Sequence, residues 1–384
     1  MKLEKISLRQ FRNIKEQFLA FNSGLNVLRG ENGQGKTNLI EGIHLLTHGK
    51  SFRTADMETM IHKGDFQGFN LRAIFSKKSL THDISVNVQG KKKKIIHNSR
   101  AISTPYLNKN FPSVLFSPES LMIVKDSSQK RRELLDDLCV GIFPEFAKLY
   151  GEVKRLHRQK NVLLKQLRDN LIEQKQGYLL LTSLTKQFLE KSAELTVFRL
   201  RAIEDIQPIL LEEFLNIMDD HYGDISVNYL ISGESQKRST FEEILNAMYK
   251  RWEELKTREV AVGLCLVGPH KHDVQFNFND QDARFFCSQG QQRAIVLAFK
   301  MAHIKLHFAA HEVFPILLLD DVLSELDQGK QRRFVNYLMN TNSQIFLTTT
   351  DATTIPEIAE RSVFEVEDGL FKECNRVNTG GLSV

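Results

Sequence analysis

The octapeptide GENGQGKT at Gly30–Thr37 limits the folds open to this chain more than any other feature. It fits G-x-x-x-x-G-K-[ST], the loop that holds nucleotide phosphates between a strand and a helix. The segment LNVLRG before the loop predicts a strand, and Leu39, Ile43 and Leu46 after it follow helical spacing as far as Gly49. This strand–loop–helix order favours a phosphate-binding loop over a chance glycine-rich turn.

Each residue type in the loop has a chemical reason to be there. Glycines let the backbone curl so that its N–H groups point inward at anionic phosphates, and the positive end of the following helix adds to the attraction. Lys36 is placed to reach the β- and γ-phosphates, and the hydroxyl of Thr37 is a ligand for Mg²⁺. The predicted nucleotide-binding residues are Gly30, Glu31, Asn32, Gly33, Gln34, Gly35, Lys36 and Thr37.

A second segment, ILLLDD, supplies the acidic partner that such a loop requires. Its apolar run predicts a central strand covered on both faces, ending at Asp320 and Asp321. We expect Asp320 to hold the Mg²⁺ and Asp321 to orient or deprotonate the attacking water. Two acids after an apolar run are weak evidence alone and become informative beside Gly30–Thr37.

The stretch SQGQQRAIVLAF predicts a second anion site. Ser288, Gly290 and Gln291 are expected just before a long helix near residues 290–310, where the helix N-terminus attracts anions. An ordinary N-capped helix is the alternative. A second such site is what ABC-type ATPases use to cap the nucleotide held by a partner subunit, and the stretch resembles their signature motif S-x-G-Q. SELD at Ser324–Asp327 resembles the loop after their acidic strand.

The remaining patterning predicts two domains. Residues 1–125 and 259–384 read as one discontinuous α/β head, with strands in LEKISLRQF, a hairpin in DISVNVQGKKKKII, and further strands in VGLCLVG and VQFNF. Residues 126–258 read as an inserted helical lobe. Its coiled-coil-like seam, roughly 30 Å long, follows 3-4 spacing. The seam residues are Phe146, Leu149, Val153, Leu156, Lys160, Leu163 and Leu167.

Composition narrows the function classes. The four cysteines of the 384 residues are far apart and form no C-x-x-C pair, which predicts a reducing cytoplasm without a disulfide framework or zinc site. No run of about 18 apolar residues is present, so we expect no membrane span. A net charge of +5 is compatible with nucleic acid and does not by itself argue for it.

Two basic segments are candidates for DNA contact. Lys154, Arg158 and Lys165 fall on one helical face in a stretch without acidic residues, which suits contacts to phosphates without base readout. Lys91–Lys94 at the predicted hairpin tip is a second candidate. A solvated surface is the alternative for both. The absence of an aromatic stacking platform favours duplex backbone over single strands.

Taken together, the motifs resemble the RecF family of bacterial DNA-repair ATPases, relatives of the SMC heads. They run from residue 8 to about residue 350. The segments that carry the resemblance are LRQFRNI at Leu8–Ile14, GENGQGKTNLIEGI, SFRT at Ser51–Thr54, LFSPESL at Leu115–Leu121, VGPHKHD at Val267–Asp273, FCSQGQQR at Phe286–Arg293 and LLLDDVLSELD at Leu317–Asp327.

The resemblance implies an α/β fold: an ABC-type P-loop ATPase head with a helical second lobe. It implies binding of ATP with Mg²⁺ and of DNA, as a duplex or a single-strand/double-strand junction. It also implies ATP-dependent homodimerisation, in which Ser288, Gly290 and Gln291 reach the partner's γ-phosphate. Arg12 matches the arginine of the family's FRN stretch, which lies near the nucleotide. RecO and RecR would act with the protein at single-strand gaps or stalled forks, helping RecA replace single-strand-binding protein in DNA repair, replication and the SOS response.

Three departures from the ABC pattern bear on turnover. Asp321 stands where many ABC ATPases have Glu, Glu119 stands in place of a Q-loop glutamine, and Thr349 or Asp351 stands in place of a switch histidine. These differences predict slow hydrolysis, with the nucleotide timing an assembly. A passive ATP-gated DNA clamp is the nearest alternative. A transporter-type ATPase subunit would need a membrane partner, and a small-molecule kinase would leave the signature-like stretch unexplained.

Overall fold

The computed structural model describes residues 1–64, 67–218, 223–236, 239–326, 328–350 and 361–377. The elements up to residue 121 alternate strands with short helices. They are β1 (Lys2–Phe11), β2 (Ile14–Ala20), β3 (Leu25–Arg29), α1 (Lys36–His48), β4 (Gly68–Lys77), β5 (Leu80–Gln89), β6 (Lys92–His97), β7 (Arg100–Ala101), α2 (Thr104–Asn110), β8 (Ser113–Phe116) and α3 (Pro118–Leu121).

The middle of the chain is dominated by helices but also contains strands. Its elements are α4 (Ser128–Ile142), α5 (Phe146–Arg168), α6 (Gln174–Ile217), β9 (Ile225–Ile231), β10 (Glu234–Gln236), α7 (Phe241–Val262), β11 (Asp273–Phe278), β12 (Gln281–Asp282), α8 (Ala283–Phe286) and α9 (Gln289–His311). No helix in the described ranges is long and apolar enough to cross a bilayer.

The last part returns to strands around one helix. Its elements are β13 (Ile316–Leu319), α10 (Gln328–Asn340), β14 (Ile345–Thr349), β15 (Arg361–Glu367) and β16 (Leu370–Val377). The chain as a whole divides into two units. Unit 1 comprises residues 1–121, 216–220 and 307–384, and unit 2 comprises residues 122–215 and 221–306.

Unit 1 has two six-stranded sheets with α1 between them. One sheet is antiparallel, in the order β2-β1-β4-β5-β6-β7, and the other has the order β16-β15-β3-β14-β13-β8 and is parallel except for β16. Helix α1 contacts β1, β4 and β5 of the first sheet and β8, β13 and β14 of the second. This position explains why α1 is buried almost all round, including the polar residues Glu41, His44 and Thr47.

Unit 2 combines long helices with a four-stranded antiparallel sheet in the order β10-β9-β11-β12. The predicted seam of α5 is confirmed, because all seven seam residues are buried and α5 packs against α7. The long helix predicted near 290–310 is confirmed as α9. The strands β9 and β10 are new, because residues 126–258 read as purely helical in the sequence.

The division of the chain differs from the expected boundaries. We expected residues 259–384 to return to the head, whereas residues 259–306 belong to unit 2. The reason is strand pairing: β11, which contains the predicted strand VQFNF, pairs with β9, whose residues lie on the other side of α7 in the sequence. The sequence of a segment alone does not determine which strand it will pair with.

The strand predicted in VGLCLVG is wrong. Helix α7 continues to Val262, and Gly263 ends it in the left-handed conformation with φ of 71°. The carboxylate of Glu259 then accepts hydrogen bonds from the backbone N–H groups of Leu266 and Val267. These donors are therefore satisfied by a side chain, and the alternating apolar pattern does not indicate sheet pairing here.

Candidate nucleotide-binding site and signature helix

The second sheet of unit 1 brings the phosphate loop and the acidic strand to one edge. Strand β14 lies between β3 and β13, with Leu347 level with both Val27 and Leu319. All three strands run parallel, so their carboxyl ends meet at the same edge of the sheet. The loop that follows β3 and the Asp320 that follows β13 are thereby neighbours, as the sequence predicted.

Thr37 and Asp320 are in direct contact. The Thr37 hydroxyl donates to Asp320 Oδ1 at 2.9 Å, and Thr348 at the end of β14 donates to the same oxygen at 3.1 Å. Burial raises the pKa of the Asp320 carboxyl, the two hydroxyl donors lower it, and Asp321 and Glu119 raise it further. Glu119 is therefore within electrostatic reach of Asp320, and its assignment to the place of a Q-loop glutamine stays a prediction.

The phosphate loop has the backbone that its glycines predict. Gly33 and Gly35 have φ of 83° and 115°, in the region that favours glycine. Lys36 Nζ donates to the carbonyl oxygens of Gly30 and Glu31, so the ammonium group at the end of the loop binds the backbone at the beginning of the loop. Burial lowers the pKa of Lys36, while Asp321 and Asp320 act in the opposite direction.

Asn13, which the sequence reasoning missed, braces the loop from outside. Its side chain donates to the Gln34 carbonyl at 3.1 Å and accepts from Asn38 at 2.8 Å. A Cβ at Gly35 would lie 2.8 Å from Asn13 Oδ1, so only glycine fits against it. The signal was present, since Asn13 belongs to the FRN stretch of which only Arg12 was singled out.

The turn between β15 and β16 supports the loop on another side. The backbone N–H of Gly369 donates to the Gln34 carbonyl at 2.8 Å, and that of Asp368 donates to Gln34 Oε1 at 2.7 Å. A Cβ at Gly30 would lie 2.3 Å from the Val366 carbonyl oxygen. The loop is therefore held by residues more than 300 positions away in the sequence.

Arg12 makes a different contact from the one expected. Its guanidinium donates twice to the buried carboxylate of Glu41 in α1, at 2.9 and 2.7 Å, and once to the Thr59 carbonyl. Ser51 also donates to Glu41, and Arg53 lies 3.5 Å from it. The FRN and SFRT stretches thus meet on one carboxylate, which fixes α1. A contact between Arg12 and nucleotide stays a prediction.

Asp321 lies at the exposed rim of the same edge. It has a left-handed backbone with φ of 51°, its N–H donates to Thr348 Oγ1 at 2.8 Å, and its carbonyl accepts from Ser324. Thr348 therefore holds both acids in place, and the sequence analysis did not single it out. A role for Thr349 or Asp351 in place of a switch histidine stays a prediction. Asp351 lies outside the described residues, as does Asp327 of the SELD stretch.

The residues at this edge suit a magnesium nucleotide. Hydroxyl and carboxylate oxygens are ligands that Mg²⁺ prefers, and Thr37 Oγ1 and Asp320 Oδ1 lie side by side, 2.9 Å apart. Thr37 and Asp320 would hold Mg²⁺, while Lys36 and the N–H groups at the start of α1 would hold phosphate. The hydrogen bond from the Thr37 hydroxyl to Asp320 Oδ1 already holds these two oxygens next to each other.

The signature stretch lies in unit 2 at the start of α9. Helix α9 begins at Gln289, so only Ser288 precedes it, and the expectation that Gly290 and Gln291 also lie before the helix is wrong. Ser288 and Gln291 bond reciprocally: the Gln291 N–H donates to Ser288 Oγ at 3.2 Å, and the Ser288 N–H donates to Gln291 Oε1 at 2.8 Å. This capping box displays Ser288 at the positive end of a 23-residue helix.

Buried polar contacts fix the turn that leads into the signature. Gln292, almost fully buried, donates to the carbonyl oxygens of Ala283 and Cys287 at 2.7 and 3.1 Å. Arg284 of α8 forms an ion pair with Asp282, the last residue of β12. Next to the turn, Arg131 binds Asp273 through two hydrogen bonds. Ser288 is therefore presented by a turn whose carbonyl groups are already bonded inside unit 2.

The basic stripe of α5 is exposed as predicted. Lys154, Arg158 and Lys165 all face solvent, whereas the neighbouring Lys160 is buried and pairs with Glu259. The predicted hairpin of β5 and β6 is confirmed, with Lys91 in its turn and Lys92–Lys94 in β6. DNA contact by either segment stays a prediction.

Comparisons with known proteins agree with the geometry. A family model described as the RecF/RecN/SMC N terminal domain matches residues 2–371. DNA replication and repair protein RecF of Staphylococcus haemolyticus (strain JCSC1435) is 34% identical over 363 residues, covering 92% of this chain and 95% of the relative. The RecF protein of Geobacillus sp. (strain WCH70) is 31% identical over 376 residues, covering 96% and 98%.

Solved structures show the same fold. The recombination mediator protein RecF with ATP, in the RecFOR pathway, is 27% identical and superimposes with a TM-score of 0.87, covering 97% of this chain and 98% of that one. An SMC head domain from Pyrococcus furiosus, 16% identical with a TM-score of 0.55, shares the fold alone. The fold is therefore that of an ABC-type ATPase head with a helical insertion, and the chain belongs to the RecF family.

Proposed function

We propose that this chain is an ATP-dependent DNA-binding protein of replication and repair, acting in the cytoplasm. It binds ATP with Mg²⁺ and hydrolyses it slowly. It dimerises when ATP is bound, at single-strand gaps or stalled forks, and with RecO and RecR it promotes the loading of RecA. The names of the RecF relatives and the ATP-bound RecF structure support the DNA-repair and nucleotide parts of this proposal.

One observation carries the nucleotide part of the proposal. The Thr37 hydroxyl lies 2.9 Å from Asp320 Oδ1, and the Thr348 hydroxyl donates a hydrogen bond to the same oxygen. A bound Mg²⁺ neutralises developing charge on the transferred phosphoryl group. Thr37 and Asp320 orient their oxygens for it before it arrives. Lys36 gives up its two carbonyl partners, at Gly30 and Glu31, and turns its ammonium to the phosphates.

Asp321 is the residue on which turnover depends. In the proposed mechanism its carboxylate accepts the proton of the attacking water or orients that water. Its backbone is fixed by Thr348, and its side chain reaches one methylene less than the Glu of many ABC ATPases. We therefore propose that hydrolysis is slow and that it ends the ATP-bound dimer.

The signature helix supports dimerisation. Ser288 and the first turn of α9 present an N-terminus with an anion-attracting dipole, and nothing else in the mechanism of one subunit uses it. We propose that it caps the γ-phosphate held by a second copy, with Gly290 allowing close approach and Gln291 fixing the turn. DNA binding follows from basic surface on the dimer, with Lys154, Arg158 and Lys165 as one proposed contact.

Light scattering tests the proposal on wild type, Ser288→Arg and the control Ser288→Thr, with and without Mg-ATP and a short DNA duplex. Threonine keeps the hydroxyl of the capping box, whereas arginine adds a bulky cation where the phosphate is expected. We expect ATP to double the mass of the wild type and of Ser288→Thr, and to leave Ser288→Arg monomeric although it still binds fluorescent ATP. A wild-type mass that ATP never changes, or normal dimerisation of Ser288→Arg, would refute the two-subunit mechanism.

A further inference from the structure

A basic pocket lies on unit 1 at the edge of the second sheet opposite the nucleotide site. It is lined by the end of β4, the end of α2 and the end of α9, next to Pro112 and Val313, which lead into β8 and approach β13. Strands β8 and β13 run parallel and begin here, while Asp320 follows the other end of β13. The pocket is therefore separate from the residues assigned to ATP.

The lining of the pocket is strongly cationic. Lys77, Lys78 and Lys109 all line it, and none of its lining residues is acidic. No ion pair joins any of the three lysines to a carboxylate within the ranges that the structure describes. Burial lowers the pKa of Lys77, and the charge of Lys78 lowers it further. Among the described residues, three ammonium groups thus share one concavity without an internal counter-charge.

The shape of the pocket suits a phosphate group and not a flat docking partner. Its volume is about 190 Å³, which is the space of roughly six water molecules at about 30 Å³ each. Lys77 is anchored, because its Nζ donates to the Asn110 carbonyl at 3.0 Å. Lys78 and Lys109 are exposed at the surface. An anchored cation inside and two exposed ones outside can bind a phosphate with little cost in side-chain entropy for the inner one.

We propose that this lysine pocket of Lys77, Lys78 and Lys109 binds a phosphate of the DNA backbone, as a contact separate from the α5 stripe. The proposal rests on the proposed DNA-binding function and specifies a surface for it. The contact is sequence-independent, since the pocket offers charge and no planar groups for reading base edges. It places a DNA contact on unit 1, at the edge of its second sheet opposite Asp320.

Fluorescence anisotropy on a labelled 30-base-pair duplex, with Mg-ATP at 50–300 mM KCl, tests the pocket. The test variant is Lys78→Ala/Lys109→Ala, which leaves the anchored Lys77 in place. The matched control is Lys5→Ala/Lys15→Ala, two exposed lysines of unit 1 that do not line the pocket. Each phosphate that the protein neutralises adds about 0.9 to the slope of log affinity against log salt, so losing the one phosphate of the pocket lowers the slope by about 0.9.

At 0.1 M salt this change in slope corresponds to a loss of about 8-fold in affinity if the contact acts through counterion release. We expect that loss in the test variant and near wild-type binding in the control, with Lys78→Arg/Lys109→Arg restoring most of it. The proposed phosphate contact would be refuted if the test variant and wild type had equal salt slopes, or if the test and control variants lost equal affinity for the duplex. A wild-type protein that binds no duplex would overturn the proposed function as well.

Discussion

At the scale of single residues, the site depends on hydroxyl groups that bond carboxylates. The hydroxyls of Thr37 and Thr348 both donate to Asp320, and the Thr348 hydroxyl also accepts a hydrogen bond from the backbone N–H of Asp321. The motif in the sequence identifies Thr37 and Asp320, because their chemistry is tied to a fixed spacing from Gly30 or to the end of an apolar strand. Thr348 has no such spacing, since it enters the site through the pairing of β14 with β13.

A pair of amide substitutions separates magnesium binding from hydrolysis. Asp320→Asn removes a charged oxygen ligand, so we expect Mg-ATP to lose its stabilising effect, about 2.7 kcal/mol for wild type at a concentration of 100 Kd. Without nucleotide, the melting temperature of Asp320→Asn should be unchanged or higher, because burial disfavours the ionised carboxyl. Asp321→Asn should keep the stabilisation and slow single-turnover hydrolysis by about 100-fold or more.

Differential scanning fluorimetry with and without Mg-ATP, followed by single-turnover assays, measures both effects. Asn13→Ala is a useful comparison, since it alters a residue that braces the loop and that is not assigned to the metal. If Asp320→Asn were stabilised by Mg-ATP as strongly as wild type, the assignment of Asp320 to the metal would be wrong.

At the scale of elements, helix α5 shows how a seam can contain a charge. Lys160 occupies a seam position and is fully buried, with its Nζ 2.8 Å from the Glu259 carboxylate of α7. Glu259 also accepts from the Leu266 and Val267 N–H groups, which ends α7 and starts the following loop. The 3-4 spacing predicted the buried face, but it could not identify a partner 99 positions later.

Breaking this ion pair from one side should be costly. Lys160→Met leaves the Glu259 carboxylate buried without its counter-charge, and we expect the free energy of unfolding to fall by about 3–5 kcal/mol. Lys160→Met/Glu259→Gln removes both charges while the amide oxygen still accepts from the backbone, so its loss should be smaller than that of Lys160→Met. Urea unfolding followed by far-UV circular dichroism measures this. A double variant at least as unstable as Lys160→Met would contradict the argument.

At the scale of the whole molecule, two units are built from segments that are distant in the sequence. The head contains residues before 122 and after 306, and the helical unit contains the segment with the signature helix up to residue 306. Unit 2 also contains two buried histidines, His272 and His303, and the half-buried His270, and burial is the largest cause that lowers the pKa of each. The pKa of His270 is about 3, that of His303 is about 4, and that of His272 is well below its usual value.

These histidines predict that unit 2 loses stability in mild acid. The neutral form is favoured in the fold, so their contribution is fully present above about pH 6.5, the usual value in an unfolded chain. As the pH falls from 6.5 towards 4, these histidines become protonated in the unfolded chain but stay neutral in the folded chain. Each histidine then lowers the free energy of unfolding by about 1.4 kcal/mol per pH unit.

Urea unfolding at pH 7, 6 and 5 checks the slope, with the fluorescence of Trp252 as the probe. Trp252 is the single tryptophan of the chain and is buried in unit 2. In His303→Leu the slope of the free energy of unfolding against pH should be shallower by the contribution of one histidine, about 1.4 kcal/mol per pH unit. Asp137 raises the pKa of His303 and Lys300 lowers it; since a folded pKa of about 4 leaves the imidazole neutral from pH 7 to 5, Asp137→Asn should leave this slope nearly unchanged. Identical slopes in wild type and His303→Leu would show that His303 does not contribute.

The sequence by itself determined the features that lie in contiguous residues: the phosphate loop, the acidic strand, the helices α1 and α9, and the buried face of α5. Backbone conformation and periodicity act over a few residues, so a short segment is enough to specify them. Only the tertiary structure decided which distant groups meet: Thr348 with Asp320, Asn13 and the β15–β16 turn with Gln34, Arg12 with Glu41, and β11 with β9. The physical reason is that hydrogen bonds and ion pairs between segments depend on strand order and register, which are settled by burial of the whole core and leave no periodic trace in either segment.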